Sequence, residues 1–174
     1  RGCVNDAEDM AALLKDFFGY RDGDILKLTD RQATKARIMA ALRKMVDGAR
    51  EGRYASLVFS FSSHGTQVPD LDEDEPDQAD EAFCPHDLAQ AGSRWDRAHL
   101  IVDDELHDLF ARLPPEVRLE VFLDTCHSGT GLKGIDLLLD RKVRYLPPPS
   151  LAAFRDMERR LARGLGDKLF RGEA

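Results

Sequence analysis

Residues 117–126, VRLEVFLDTC, form an apolar run that ends in Asp124 and then Cys126. A second apolar run, residues 54–65 (YASLVFSFSSHG), ends in His64 and Gly65. Both runs have the length and the branched and aromatic content of strands. The continuous run LVF in the second one predicts a strand buried on both faces, as in a parallel sheet.

Segments with helical periodicity separate these strands. They are residues 7–19 (AEDMAALLKDFFG), with Asn5 or Asp6 as the cap, 35–49 (KARIMAALRKMVDGA), capped by Thr34, and 103–113 (DDELHDLFARL), capped by Asp103. The first helix is predicted to bury Met10, Leu13, Leu14, Phe17 and Phe18. Residues 24–30 (DILKLTD) read as a further strand, and residues 65–100 as a long loop. Alternating helices and strands predict an α/β fold with a mostly parallel central sheet.

Length, net charge and cysteine content exclude several classes of protein. The 174 residues fit one domain, and no apolar run is long enough to span a bilayer. The net charge of −7 disfavours nucleic acid as a partner. Three cysteines without a CxxC pair predict reduced thiols and a cytoplasmic protein. The start, RGCVNDAEDM, is interpreted as internal to a longer protein.

The two strand ends carry the side chains of a thiol nucleophile and its base. Chemistry in an open parallel sheet collects beyond the carboxyl ends of the strands, where His64 and Cys126 would meet. Imidazole within reach of a thiol favours the reactive thiolate, and the N–H groups of Gly65 and Cys126 would hold an oxyanion. A buried, inert Cys126 is the plain alternative. A cysteine phosphatase loop is rejected, since it needs arginine where Leu132 stands.

Several blocks, in order, resemble the metacaspases, the caspase-like cysteine peptidases. They are GCVNDA, SSHGTQVPD, DEDEPDQADEAFCPHD, IVDDEL and LPPEVRLEVFLDTCHSGTG, and the continuation into RYLPPPS looks prokaryotic. The resemblance implies a caspase-hemoglobinase fold, a three-layer αβα sandwich, with His64 and Cys126 as the catalytic dyad. It also implies cleavage after Arg or Lys. Asp6 and Asp124 match the acidic pocket positions, and two carboxylates there would attract a basic side chain. Asp6 would cap its helix as well.

An acidic run, residues 70–81, holds eight carboxylates and no base. Hard oxygen ligands suit calcium, and the resemblance implies a calcium site at Asp80, Asp103 and Asp104. Lys133 stands where the family has a further aspartate. It would either replace the metal or weaken its site, unless Asp136 substitutes, so calcium dependence stays open. A zinc site at Cys84 and His86 is rejected on spacing, and Cys84 is predicted to be a core residue.

Two regions are predicted along the chain. Residues 1–145 form the caspase-like catalytic domain. Residues 146–174 form a proline-rich segment and a basic amphipathic helix, which either packs on the domain or docks a partner. Their Arg159, Arg160, Arg163, Lys168 and Arg171 are candidate self-cleavage sites.

The predicted function is a cysteine endopeptidase acting on proteins or peptides at basic residues. Segments of its own parent chain are candidate partners, whereas nucleic acid and membranes are not. The alternative is a caspase-like scaffold that no longer cuts and serves as a calcium-responsive or partner-responsive interaction domain.

Overall fold

The computed structural model describes residues 2–69 and 79–125. Most of the acidic run lies outside these residues. So do the nucleophile position Cys126, Lys133, Asp136 and the whole of 146–174. The predicted domain boundary at 145 therefore stays a prediction.

Three α-helices and seven strands form the described part. The helices are α1 (Gly2–Phe18), α2 (Lys35–Arg50) and α3 (Asp103–Phe110). The strands are β1 (Ser56–Ser62), β2 (Gly65–Pro69), β3 (Ala79–Phe83), β4 (Gln90–Ala91), β5 (Arg94–Trp95), β6 (Ile101–Val102) and β7 (Arg118–Asp124). None of the helices described is both long and apolar enough to cross a membrane.

The strands β1 and β7 pair in parallel along their whole length, from Ser56 opposite Arg118 to Ser62 opposite Asp124. The strands β2, β3 and β6 form an antiparallel sheet in that order, and β4 and β5 form a short hairpin. The parallel pairing of the two apolar runs is therefore confirmed. This pairing places the carboxyl ends of β1 and β7 side by side at one edge of the sheet.

Helices lie on both faces of the parallel pair. One face of β1 carries Phe59, which packs in a core with Leu42 of α2 and Leu109 of α3. The opposite face carries Ser62, whose hydroxyl bonds to Asp6 of α1. The order helix, sheet, helix confirms the predicted α/β fold class with helices on both sides of the sheet. Burial on both faces of β1 is only partial, because Leu57 and Phe59 are buried while Val58 is half-buried.

Two predictions for the first half of the chain are wrong. Residues 24–30 do not form a strand, although Ile25 and Thr29 are extended, because no described strand pairs with them. The predicted buried face of α1 is largely exposed: Phe17 is 77 % exposed and Phe18 is 65 % exposed. The buried residue of α1 is Ala11.

The helix starts also differ in detail. Thr34 caps α2 as predicted, accepting from the N–H of Arg37. Asn5 and Asp6 lie inside α1, which begins at Gly2, so neither caps it. Asp103 is the first residue of α3, and Glu105 accepts from the N–H of Val102 at 3.0 Å to close that helix start.

The predicted long loop, residues 65–100, is mostly structured. It contains β2 to β5 and a 3-10 turn at Arg97–His99. A small apolar core of Val68, Ala82, Cys84, Leu100 and Val102 holds it together. The strands are short and polar at many positions, so their periodicity is too weak to read locally.

Candidate active site

The candidate site forms at the edge where β1 and β7 end. Ser62 and Asp124 are register partners there. The next residue after β1, Ser63, directs its N–H to the carbonyl oxygen of Asp124 at 3.4 Å. The parallel pairing therefore continues to the edge and places the segment that carries His64 beside the end of β7.

Asp6 and Asp124 line one open pocket of about 540 Å³. The hydroxyl of Ser62 donates to Oδ2 of Asp6 at 2.5 Å, which brings α1 to the end of β1. Met10 and Phe122 add apolar walls. The structure thus brings together the two acids that the resemblance placed in one pocket.

The short connection between β1 and β2 positions His64. Oγ of Ser63 donates to the carbonyl oxygen of Cys84 at 2.6 Å, and the N–H of Cys84 donates to the carbonyl oxygen of His64 at 3.0 Å. His64 itself is exposed. Its backbone is therefore held by the segment after β3, while its imidazole lies at the solvent side of the sheet edge.

The N–H of Gly65 points to the side of β2 away from β3. Gly65 lies opposite Phe83, and the ladder bond beside this pair runs from Cys84 to His64. In an antiparallel ladder, hydrogen-bonded pairs alternate with pairs that are not hydrogen-bonded to each other. Residues of the second kind, such as Gly65, direct their N–H and C=O groups away from the partner strand. The N–H of Gly65 is therefore not used in the pairing with β3, and its role as an oxyanion donor stays a prediction. The second predicted donor, the N–H of Cys126, lies outside the described residues, as does the thiol.

Cys84 is a core residue, as predicted. It is 4 % exposed and packs with Ala82 and Leu100. Desolvation by burial raises the pKa of its thiol from 9.0 to about 12, so it stays protonated at neutral pH. A buried, neutral thiol is neither a nucleophile nor a metal ligand.

The described residues do not form a calcium site on their own. No group of three or more His, Cys, Asp or Glu side chains in residues 2–69 and 79–125 lies close enough together to hold a metal ion. Asp80 is 1 % exposed, and its Oδ2 accepts from Nη2 of Arg97 at 2.7 Å. A guanidinium thus lies where the predicted site would place a cation. Whether Asp103 and Asp104 join Asp80 around a metal stays a prediction.

The sequence matches the family profile described as "Metacaspase, peptidase C14 domain" over residues 1–135. The chain belongs to the metacaspase family. Metacaspase-1A of Aspergillus fumigatus is 44 % identical over 139 residues, which is 76 % of this chain and 32 % of the relative. Metacaspase-1 of Cryptococcus neoformans is 44 % identical over 138 residues, 75 % of this chain and 28 % of that relative.

A solved structure shares the fold of this metacaspase chain. It is protein GSU0716 from Geobacter sulfurreducens, with a TM-score of 0.59 and 30 % sequence identity, covering 95 % of this chain and 54 % of that one. The chain spans about a third of the length of the curated relatives it matches. The prokaryotic character of the sequence stays a prediction.

Two residues that contact predicted site residues were not predicted from the sequence. Ser62 donates a hydrogen bond to Asp6 and lies opposite Asp124 in the strand register. In the sequence it is only one of several serines at alternate positions of an apolar strand. Arg97 pairs with Asp80 across 17 positions of the chain, in a region read as loop. Neither contact has a local sequence pattern, since both depend on tertiary packing.

Proposed function

We propose that this metacaspase chain carries the catalytic centre of a cysteine endopeptidase that cuts after Arg or Lys. The observation that carries the proposal is the pocket lined by Asp6 and Asp124, at the sheet edge that His64 also reaches. Two carboxylates in one pocket favour a guanidinium or ammonium and repel an acidic side chain. The family membership supports thiol chemistry at the end of β7.

In the proposed reaction, His64 takes the proton of the Cys126 thiol, and the thiolate attacks the carbonyl carbon after a basic residue. The parallel register supports a His64–Cys126 dyad. Ser62 and Asp124 are register partners, His64 comes two residues after Ser62, and Cys126 comes two residues after Asp124. The N–H of Gly65, directed away from β3, would stabilise the oxyanion. The protonated imidazole gives its proton to the leaving amine, and water then releases the acyl group.

These steps assign no role to calcium, and calcium dependence of the reaction stays a prediction. The described carboxylates do not gather into a calcium site by themselves, and Asp80 is bonded to Arg97. The proposed substrates are proteins and peptides with accessible basic residues, including segments of the parent chain, in the cytoplasm.

The test uses fluorogenic peptides ending in Arg, Lys or Asp, each with the purified chain and with its Cys126→Ala variant. We expect cleavage of the Arg and Lys peptides, none of the Asp peptide, and no cleavage by the variant. His64→Ala should lower kcat by about 100-fold or more with little change in KM. A folded chain that cleaves none of the three would favour the scaffold function instead.

A further inference from the structure

Asp80 carries a charge that is almost completely removed from water. Its side chain is 1 % exposed, whereas that of Arg97 is 33 % exposed. A buried carboxylate is stable only when a cation or several hydrogen-bond donors compensate for its lost hydration. Arg97 provides both a full charge and a short hydrogen bond, at 2.7 Å.

The backbone of Arg97 is held by bonds that need no ion. Asp96 caps the 3-10 turn by accepting from the N–H of Ala98 at 2.9 Å. Nζ of Lys35, on α2, donates to the carbonyl oxygen of Arg97 at 3.0 Å. Because α2 packs in the main core, its Lys35 fixes the position of the Arg97 backbone. The guanidinium can therefore reach Asp80 without help from a bound ion.

The same network reaches the start of α3. Nζ of Lys35 also pairs with Oε2 of Glu105 at 2.8 Å, and that oxygen accepts from the N–H of Val102. The chain's own side chains therefore link Asp80 to the first turn of α3, which contains Asp103 and Asp104. These are the elements that a calcium ion at the predicted site would link.

We propose that Arg97 is a resident cation at Asp80 and that it competes with calcium for this carboxylate. A divalent ion that used Oδ2 of Asp80 would have to displace Nη2 of Arg97, and the two cations would repel each other across this one buried carboxylate. The chain is therefore stable without calcium in this region. Removing the guanidinium leaves Oδ2 of Asp80 open to calcium, so stability should respond to calcium at this carboxylate in the variant but not in the native chain.

The experiment compares thermal unfolding in chelator, in about 1 mM CaCl2 and in the same concentration of MgCl2. The variants are Arg97→Gln, Arg97→Lys, the double variant Asp80→Asn with Arg97→Gln, and Arg94→Gln. Arg94 is an exposed arginine on β5, so its variant controls for the lost charge alone. Unfolding is measured without substrate, so the result is independent of whether the chain is a peptidase.

We expect the native chain and Arg94→Gln to have the same Tm in calcium and in chelator. Arg97→Gln should lose about 10 °C in chelator and regain part of it in calcium but not in magnesium. Arg97→Lys should lie near the native value. The double variant should lose less than Arg97→Gln and not respond to calcium, because no buried charge remains to be compensated.

Two results would overturn the proposal. One is a native Tm that rises with calcium as much as that of Arg97→Gln. The other is an Arg97→Gln variant that loses stability and regains none with calcium. If Arg97→Gln does not fold, calorimetric titration of the native chain decides: saturable calcium binding that Asp80→Asn abolishes would show that Arg97 does not exclude the ion.

Discussion

Ser62 and Asp124 lie opposite each other at the carboxyl ends of β1 and β7, and Ser62 also donates to Asp6 at 2.5 Å. The Ser62 side chain thus links the end of β1 to helix α1, which lies on one face of the sheet. Asp6 is half-buried and Asp124 is exposed. The two pocket acids therefore differ in their exposure to solvent, with Asp6 the more buried of the two.

Neutralising either pocket acid should weaken cleavage after basic residues. Asp6→Asn and Asp124→Asn each keep the side-chain volume and remove the charge. We expect kcat/KM for an Arg peptide to fall about 10- to 100-fold, since a charged hydrogen bond contributes about 1.5–3 kcal/mol. Steady-state kinetics measure the effect, and Asp9→Asn, an exposed acid on α1, is the control. Equal losses in all three variants would contradict a specific role for the pocket.

Removing the hydroxyl of Ser62 should affect substrate binding more than the chemical step. Ser62→Ala leaves Oδ2 of Asp6 without this donor, so the carboxylate is less well positioned. We expect KM for Arg and Lys peptides to rise about 3- to 30-fold with kcat changed by less than about 3-fold. Ser56→Ala, at the opposite end of β1, is the matched control. A fall in kcat with KM unchanged would mean that Ser62 acts on the dyad instead.

The thiol of Cys84 should resist alkylation while the chain is folded. Burial raises its pKa to about 12, so the folded state disfavours the thiolate. Stability from this thiol is present below about pH 9 and is lost as pH rises toward 12, because the unfolded chain releases the proton more readily. Mass spectrometry after iodoacetamide treatment at neutral pH should find label at half-buried Cys3 before Cys84. Rapid labelling of Cys84 in the folded chain would show that its core is open.

Gly48→Ala should destabilise the chain although alanine favours helices. A Cβ on Gly48, in the last turns of α2, would overlap the ring of Tyr54, including Cδ2 at 2.8 Å. Overpacking costs about 1–3 kcal/mol, which equals or exceeds the gain of about 1 kcal/mol in helix propensity. Denaturant unfolding measures the change.

The double variant with Tyr54→Ala separates the two effects on Gly48. Without the ring, Gly48→Ala should stabilise α2 by up to about 1 kcal/mol. A destabilisation of the same size in both backgrounds would show that the ring is not the cause.

Elements whose apolar residues repeat with a clear period could be predicted from the sequence. The helix α2 and its Thr34 cap, the strands β1 and β7, and the edge at which both end were all predicted correctly. Local periodicity and caps act over a few residues, so they can be read directly from the chain. The pocket acids were placed by resemblance, and the fold then brought Asp6 and Asp124 to one pocket.

Which segments pair as strands depends on the folded structure and could not be predicted from local sequence. Residues 24–30 have a strand-like pattern but no described strand pairs with them, whereas the polar region after His64 forms four short strands through pairing. The contacts of Ser62 with Asp6 and of Arg97 with Asp80 join residues 56 and 17 positions apart. Strand pairing and buried ion pairs depend on non-local contacts, because their hydrogen bonds and charges are satisfied only when distant parts of the chain meet.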